Sequence, residues 1–214
     1  MSTDITIIYD NTAWLKSLPA DWGFACLVEA RGKKILFDTG AKGPLLLGNM
    51  QALQIDPLEV DTVFISHNHW DHTGGLADFL KVNPVSVYLP ESCPQNGTPP
   101  GSVRVSAPLE IYPGIYSTGE LQGIEQSLVI RTDDGIVVVV GCAHPGVKAI
   151  LTAASAFGRI RALVGGLHGF DDFRLIKGVE TVCPTHCTRH IQKIKTRFPD
   201  AFISGGAGRV ISID

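Results

Sequence analysis

Ser66-His67-Asn68-His69-Trp70-Asp71-His72-Thr73-Gly74-Gly75 is the stretch on which the reading of this chain turns. Three His and one Asp fall within six residues of it. The apolar run Val60 to Ile65 comes before and reads as a buried strand; Leu76 to Val82 comes after and reads as a helix. Residues two apart in an extended segment point to the same side. His67 and His69 are therefore placed to hold one metal ion together. A turn after Trp70 would swing Asp71 and His72 toward a second position beside the first. Neutral imidazole suits zinc, and also iron or nickel, while a carboxylate adds a hard anionic ligand. Gly74-Gly75 lets the backbone pack tightly as the helix opens. Packing alone does not explain so many ligand types at one strand end.

The 214 residues fit one large domain with a full hydrophobic core. A hydrophobic content of 44% against 18% charged is the balance of a globular chain, not a disordered one. A net charge of −3 gives no pull toward nucleic acid. No apolar run is long enough to span a membrane. The segment Met1 to Ile8 lacks a basic region followed by an apolar one, so no leader is expected. Five cysteines, an odd number, suggest free thiols and a cytoplasmic setting rather than a disulfide framework.

Elsewhere, Thr6 to Tyr9 reads as a strand ended by Asp10-Asn11, and Thr12 to Trp22 as a loop. Gly23 to Ala30 and Lys33 to Phe37 form an expected hairpin around Arg31-Gly32. Leu45, Leu46, Met50 and Leu53 share one face of an expected helix over Gly43 to Leu53. Strands are expected at Pro84 to Leu89, Ile111 to Ser117 and Gln126 to Thr132, with a surface loop at Ser92 to Gly101. Ile136 to Val140 is a continuous β-branched run, as in a strand buried on both faces. It closes in Gly141-Cys142-Ala143-His144-Pro145-Gly146, before an expected helix over Val147 to Phe157 with Pro145 near its first turn. Short strands at Ala162 to Val164 and Val179 to Val182 close in Gly165-Gly166-Leu167-His168 and Pro184-Thr185-His186-Cys187. Residues 189–198 read as a helix carrying His190 on its surface or at its cap. Ala201 to Ile203 and Val210 to Ile213 read as a final hairpin. The pattern fits an α/β sandwich of two sheets covered by helices. His144, His168 and His186 all follow expected strands, where α/β folds place their ligands.

His67-x-His69-x-Asp71-His72 resembles the hallmark of the metallo-β-lactamase superfamily. That resemblance implies a four-layer αββα fold, a dinuclear metal site and a hydrolase. It implies zinc, as two ions, with iron or manganese as alternatives. His186 matches the superfamily's last metal histidine. Asp38, at the end of an expected strand, matches an Asp that supports the site or simply caps a turn. Two departures stand out. Most members carry Gly-Asp where Gly141-Cys142 stands here, so Cys142 is either a thiolate ligand or an inert buried thiol. The Pro-Gly-His-Thr segment that supplies a third histidine is absent near Tyr116 to Leu121; His144 or Glu120 is left to fill the vacancy. Cys183 and Cys187 flank His186 and could form a small zinc site of their own, though no second ligand pair is near in sequence. A variant lacking both is expected to keep its metal.

Five segments occur in a characteristic order. They are Phe37-Asp38-Thr39-Gly40, the central histidine stretch, Gly141-Cys142-Ala143-His144-Pro145-Gly146, Gly165-Gly166-Leu167-His168 and Pro184-Thr185-His186-Cys187-Thr188. Together they are similar to a branch of metal-dependent hydrolases labelled methanopterin-pathway dihydropterin synthases. The resemblance implies that two metals lower the pKa of a bridging water near neutral pH. Asp71 would orient the resulting nucleophile and pass on its proton, with His168 as an acid or substrate contact. The expected helix start at Pro145-Gly146, with Arg189, could hold an anionic group. The substrate is expected to be a small molecule, with an anionic one an option. Neither nucleic acid nor membrane is expected as a partner, and oligomeric state is left open. Hydrolysis of a small ester, lactone or phosphodiester is the first reading. Bond formation between a pterin and a phosphoribosyl aromatic amine is the second, and di-iron redox chemistry the third.

Overall fold

The computed structural model describes residues 2–96 and 98–214. Met1, at the start of the segment read as lacking a leader, and Gly97, inside the expected surface loop, lie outside the described residues. In chain order the elements are β1 (Thr3–Tyr9), β2 (Ala25–Ala30), β3 (Lys33–Phe37), α1 (Gly43–Ala52), β4 (Thr62–Phe64), α2 (Trp70–Thr73), α3 (Leu76–Val82), β5 (Ser86–Pro90) and β6 (Val103–Val105). There follow β7 (Leu109–Tyr112), β8 (Ile115–Ser117), β9 (Leu128–Thr132), β10 (Gly135–Val140), α4 (Val147–Ala154), β11 (Ile160–Gly166), β12 (Thr181–Thr185), α5 (Ile191–Arg197) and β13 (Val210–Ile213). One sheet has the order β13-β1-β2-β3-β4-β5-β6 and the other β12-β11-β10-β9-β8-β7.

The alternation of side chains along the strands makes these two sheets a four-layer sandwich. In β10, Val137 and Val139 enter the core between the sheets, while Ile136, Val138 and Val140 face the opposite way. Both faces are buried from Ile136 to Val140, so every one of these positions is apolar and β-branched. Burying each such side chain contributes roughly 1.5–3 kcal/mol. Ile5, Ile7, Val28, Ile35, Phe37 and Phe64 supply the inner face from the first sheet. Leu46 and Met50 of α1, with Leu76 and Phe79 of α3, cover that sheet's outer face. Val147, Ile150, Leu151 and Ala154 of α4, with Ile194 of α5, cover the second sheet. The result is an αββα arrangement. No helix among the described residues is long and apolar enough to cross a membrane.

Two sequence expectations need correction, and one strand was not anticipated. The run Ile111 to Ser117 is not one strand: Pro113-Gly114 turns it into the β7–β8 hairpin, which begins at Leu109. The strand β6, short and partly exposed, was not expected. The chain end is not a hairpin, because β13 pairs with β1 while Phe202 makes an isolated bridge to Val182. Pro145 lies near the first turn of α4, one residue before the capping Gly146.

Strand direction concentrates the chemistry at one end of the sandwich. β3 and β4 are parallel, and so are β10, β11 and β12. β1 runs with β3, since each is antiparallel to β2. Asp10, Asp38, His67, Cys142, His168 and His186 all lie just beyond the carboxyl ends of these strands. The sheets join at that end, where Gln126 donates from its backbone N–H to Ser66 O and from Nε2 to Ile65 O, at 2.9 and 2.8 Å.

Candidate metal centre

The chain after β4 stays extended through His69 and then turns into α2, which is a single turn. His67 and His69 thus share a side, and Asp71 and His72 swing to the next position. The rings of His67, His69 and His144 form a near-equilateral triangle, with centroids 4.6, 4.7 and 4.8 Å apart. Asp71, His72 and His186 form a second group. In both groups the facing N and O atoms lie within 4.8 Å of one another. Cys142 stands between them: its Sγ is 3.2 Å from His72 Nε2, and it also groups with His67.

The tight turn after His69 needs close backbone approach. A Cβ on Gly75 would sit 2.3 Å from Thr39 O, and one on Gly74 would sit 2.2 Å from Ala41 O. Gly141 has the same importance across the sheets, where a Cβ would lie 2.1 Å from Ser66 Oγ and 3.1 Å from His67 Nδ1. Asp38, Ala143, His168 and His186 have φ of 55, 59, 46 and 49°. Non-glycine residues seldom adopt this left-handed conformation, and its cost is typically met at functional sites.

Partners on the far side of each ring decide which nitrogen faces inward. Asp38 Oδ2 accepts from His72 Nδ1 at 2.7 Å and from Ser66 Oγ at 2.7 Å, and Asp38 Oδ1 accepts the Ser66 backbone N–H. The Ser66 hydroxyl hydrogen is engaged as a donor to Asp38, so at 2.9 Å its oxygen accepts from His67 Nδ1–H. His186 Nδ1–H donates to Asn11 Oδ1 at 2.9 Å, while Asn11 Nδ2 donates to His186 O. The Nε2 atoms of His67, His72 and His186 are therefore the ones left to face the centre. His144 Nε2 and His186 Nε2 are buried with no hydrogen-bond partner. Inward nitrogens fixed by an outer ring of acceptors are the arrangement a bound cation requires. The residues present fit a metal centre.

Charge follows the same design. Burial first, then the neighbouring rings, holds His67 well below the usual histidine range and pushes His144 down to about 4. Burial works against His72 too, but the Asp38 carboxylate outweighs it and raises that ring's pKa. Asp71 is held well below the usual carboxylate range by His186 and His72, against its own burial. Its Oδ2 lies 3.3 Å from His186 Nε2 and accepts Trp22 Nε1–H at 2.8 Å.

Sequence reading left Glu120 and His144 as rivals for the third histidine's place. His144 joins His67 and His69, whereas Glu120 caps the Ser92 backbone N–H and belongs to no ligand group among the described residues. The loop that carries His144 is held by a different acid, Glu125, which sequence reading missed. Its buried carboxylate accepts the backbone N–H of Cys142, Ala143 and His144 at 3.0, 3.0 and 2.8 Å. Burial pushes the Glu125 pKa up to about 7, against those three donors. Ser66, Asn11 and Trp22 were missed as well; a Trp at the end of a loop, next to an expected strand, was the available signal. Cys183 and Cys187 do not form a pair. Cys183 is in the core between the sheets, while Cys187 groups with Cys142 and His186. His168 is exposed on the rim, its ring 5.3 Å from that of His144. Arg189 is exposed and donates its backbone N–H to His168 O. His190 precedes α5 as its N-terminal capping residue.

Comparison with known proteins fits this geometry. The model of the metallo-beta-lactamase superfamily matches residues 23–186. A curated relative from Methanocaldococcus jannaschii is 26% identical, covering 88% of each chain. It is named 7,8-dihydropterin-6-methyl-4-(beta-D-ribofuranosyl)-aminobenzene-5'-phosphate synthase. A solved structure, described as a metal-dependent hydrolase of the beta-lactamase superfamily, superposes with a TM-score of 0.84 at 27% identity over 99% of each chain. The metallo-beta-lactamase fold protein YhfI from Bacillus subtilis superposes at 0.70 with 14% identity over 100% of each chain, a likeness of fold alone.

Proposed function

Because the chain belongs to the metallo-beta-lactamase superfamily, we propose that it is a metal-dependent hydrolase of a small ester, lactone or phosphodiester. The convergence of the His67, His72 and His186 Nε2 atoms, each fixed from behind by an acceptor, is the observation that carries this reading. His67, His69 and His144 would hold one ion; Asp71, His72 and His186, with Cys142, would hold another. The mixed nitrogen and sulfur donors favour zinc, with iron or manganese as alternatives. Bound metal supplies a water acidic enough to attack near neutral pH and a Lewis acid for the carbonyl or phosphoryl oxygen.

The chain's own residues do the rest. Asp71, oriented by Trp22 Nε1–H, accepts the proton of the attacking water and passes it to the leaving group. His168, on the rim beside His144, contacts the substrate or donates to its leaving group. An anionic substituent would meet Arg189 and the start of α4. Free thiols throughout support a cytoplasmic setting.

A second reading has its own support. The archaeal relative's name describes a synthase acting in pterin chemistry. Trp22, 51% exposed, adjoins the centre through Asp71, and Trp70, 64% exposed, follows His69 in the chain. Exposed indoles there would suit a planar ring. On this reading the chain joins a pterin to a phosphoribosyl aromatic amine. Elemental analysis of purified protein, followed by assays on phosphodiesters, lactones and thioesters, tests the first reading. Turnover only with a pterin and a phosphoribosyl amine would replace it with the second.

A further inference from the structure

We propose that Cys187 is a metal ligand, and that its Sγ, Cys142 Sγ and His186 Nε2 make the second metal position a dithiolate site. The inference rests on the metal-centre reading above and goes beyond its ligand set. The facing atoms of these three residues lie within 4.8 Å of one another. Cys142 is 4% and His186 8% exposed, and His186 Nε2 is buried with no hydrogen-bond partner, the Asp71 carboxylate lying 3.3 Å away, so nitrogen, carboxylate and sulfurs face one point.

Local backbone explains how neighbours in sequence reach the same place. Adjacent side chains of an extended strand point to opposite faces. β12 ends at Thr185, and His186 then turns through a φ of 49°. That turn lets Cys187 follow His186 toward the centre instead of away from it. Gly166 makes room: a Cβ there would sit 2.9 Å from Cys187 Sγ. Cys183, four residues earlier, is consigned to the inter-sheet core.

The rival role for Cys187 is a thiol that donates to Cys142 O, and that contact is 3.7 Å long. Serine at 187 would keep such a donor but would be a poor metal ligand. The conservative variant therefore separates the two roles. A site with two thiolates is also softer than the three-histidine position beside it. It should prefer zinc, cobalt or cadmium to manganese or magnesium.

Cobalt(II) provides the test, since each bound thiolate adds sulfur-to-metal charge-transfer absorption in the near ultraviolet. Metal-free protein would be titrated with cobalt while absorption and bound metal per chain are followed. Cys187→Ser and Cys142→Ser should each lose about half of the band, and the double variant all of it, the expectation for two thiolates on one soft site. A Cys187→Ser spectrum that superposes on that of the unaltered protein, at equal cobalt content, would overturn the proposal and leave the metal centre standing. Failure to bind cobalt at all would overturn both. Unaltered protein provides a control that does not depend on a variant folding. Zinc should slow alkylation of Cys187 by iodoacetamide, and a chelator should restore it. Equal rates with and without zinc would also refute ligation by Cys187.

Discussion

Asp38 accepts a hydrogen bond from His72 Nδ1 at 2.7 Å, and neither side chain reaches solvent. The same carboxylate accepts the hydrogen bond of the Ser66 hydroxyl and thereby makes the Ser66 oxygen an acceptor for His67. One buried acid thus orients a ring in each of the two ligand groups. Three donors converge on it, two on Oδ2 and one on Oδ1.

Asp38→Asn should disturb both groups at once. An amide in that place turns one acceptor into a donor facing another donor. An unpaired buried polar group costs about 1–3 kcal/mol. Loss of an outer partner of a ligating histidine typically lowers metal affinity by about 10- to 100-fold. Competition with a chelating dye measures the second effect and urea denaturation the first.

Gly141→Ala would push a methyl against Ser66 Oγ and His67 Nδ1. Overpacking at such a junction is expected to destabilise the fold by roughly 1–3 kcal/mol and weaken metal retention. Gly48 provides the contrast. It is exposed inside α1 with nothing near its missing Cβ. Gly48→Ala should stabilise by about 0.5–1 kcal/mol and leave metal content unchanged. Denaturant midpoints for the two variants should move in opposite directions.

Glu125→Gln should loosen the loop that presents Cys142 and His144. The carboxylate serves three backbone donors, and an amide cannot accept at both ends. Metal affinity should fall without change to any ligand. Exchange of the Cys142, Ala143 and His144 amide protons, followed by mass spectrometry on metal-free protein, should accelerate.

Acid should act on the metal-free protein through His144. Burial, followed by the His69 and His168 rings, pushes its pKa down to about 4 from 6.5. Between these values the unfolded chain binds a proton that the folded chain refuses, so this histidine's contribution to stability falls as pH drops from 6.5 toward 4. His144→Ala removes that liability and relieves His67, whose pKa is lowered in part by His144. Stability of the unaltered protein relative to the variant, measured with chelator present, should therefore decline with falling pH across this window. A constant difference would contradict the assignment of His144 as a neutral, half-buried ring.

Sequence made some of this legible for physical reasons. β10 was readable because burial on both faces leaves an unbroken run from Ile136 to Val140. The His67 to His72 spacing was readable because a strand end and one helical turn fix its geometry locally. Other partnerships depend on distant chain segments. Asn11 meets His186 across 175 residues, and Glu125 reaches Cys142 only after the β9–β10 hairpin closes. Neither carries a local periodicity. The β7–β8 turn was overlooked because Ile111, Tyr112, Ile115 and Tyr116 keep β-prone composition on both sides of Pro113-Gly114. Spacing permitted a Cys183–Cys187 site, against which only the lack of a second ligand pair spoke, because spacing alone says nothing of the turn at His186.

Bound metal per chain, measured by elemental analysis after saturation and removal of excess ion, tests the two-position centre most directly. The unaltered protein should hold about two ions, the expectation for a dinuclear hydrolytic site. His186→Ala should hold about one, retained by His67, His69 and His144, while His67→Ala should lose the first position and its activity together. Full occupancy in both variants, or no metal in the unaltered protein, would contradict the account.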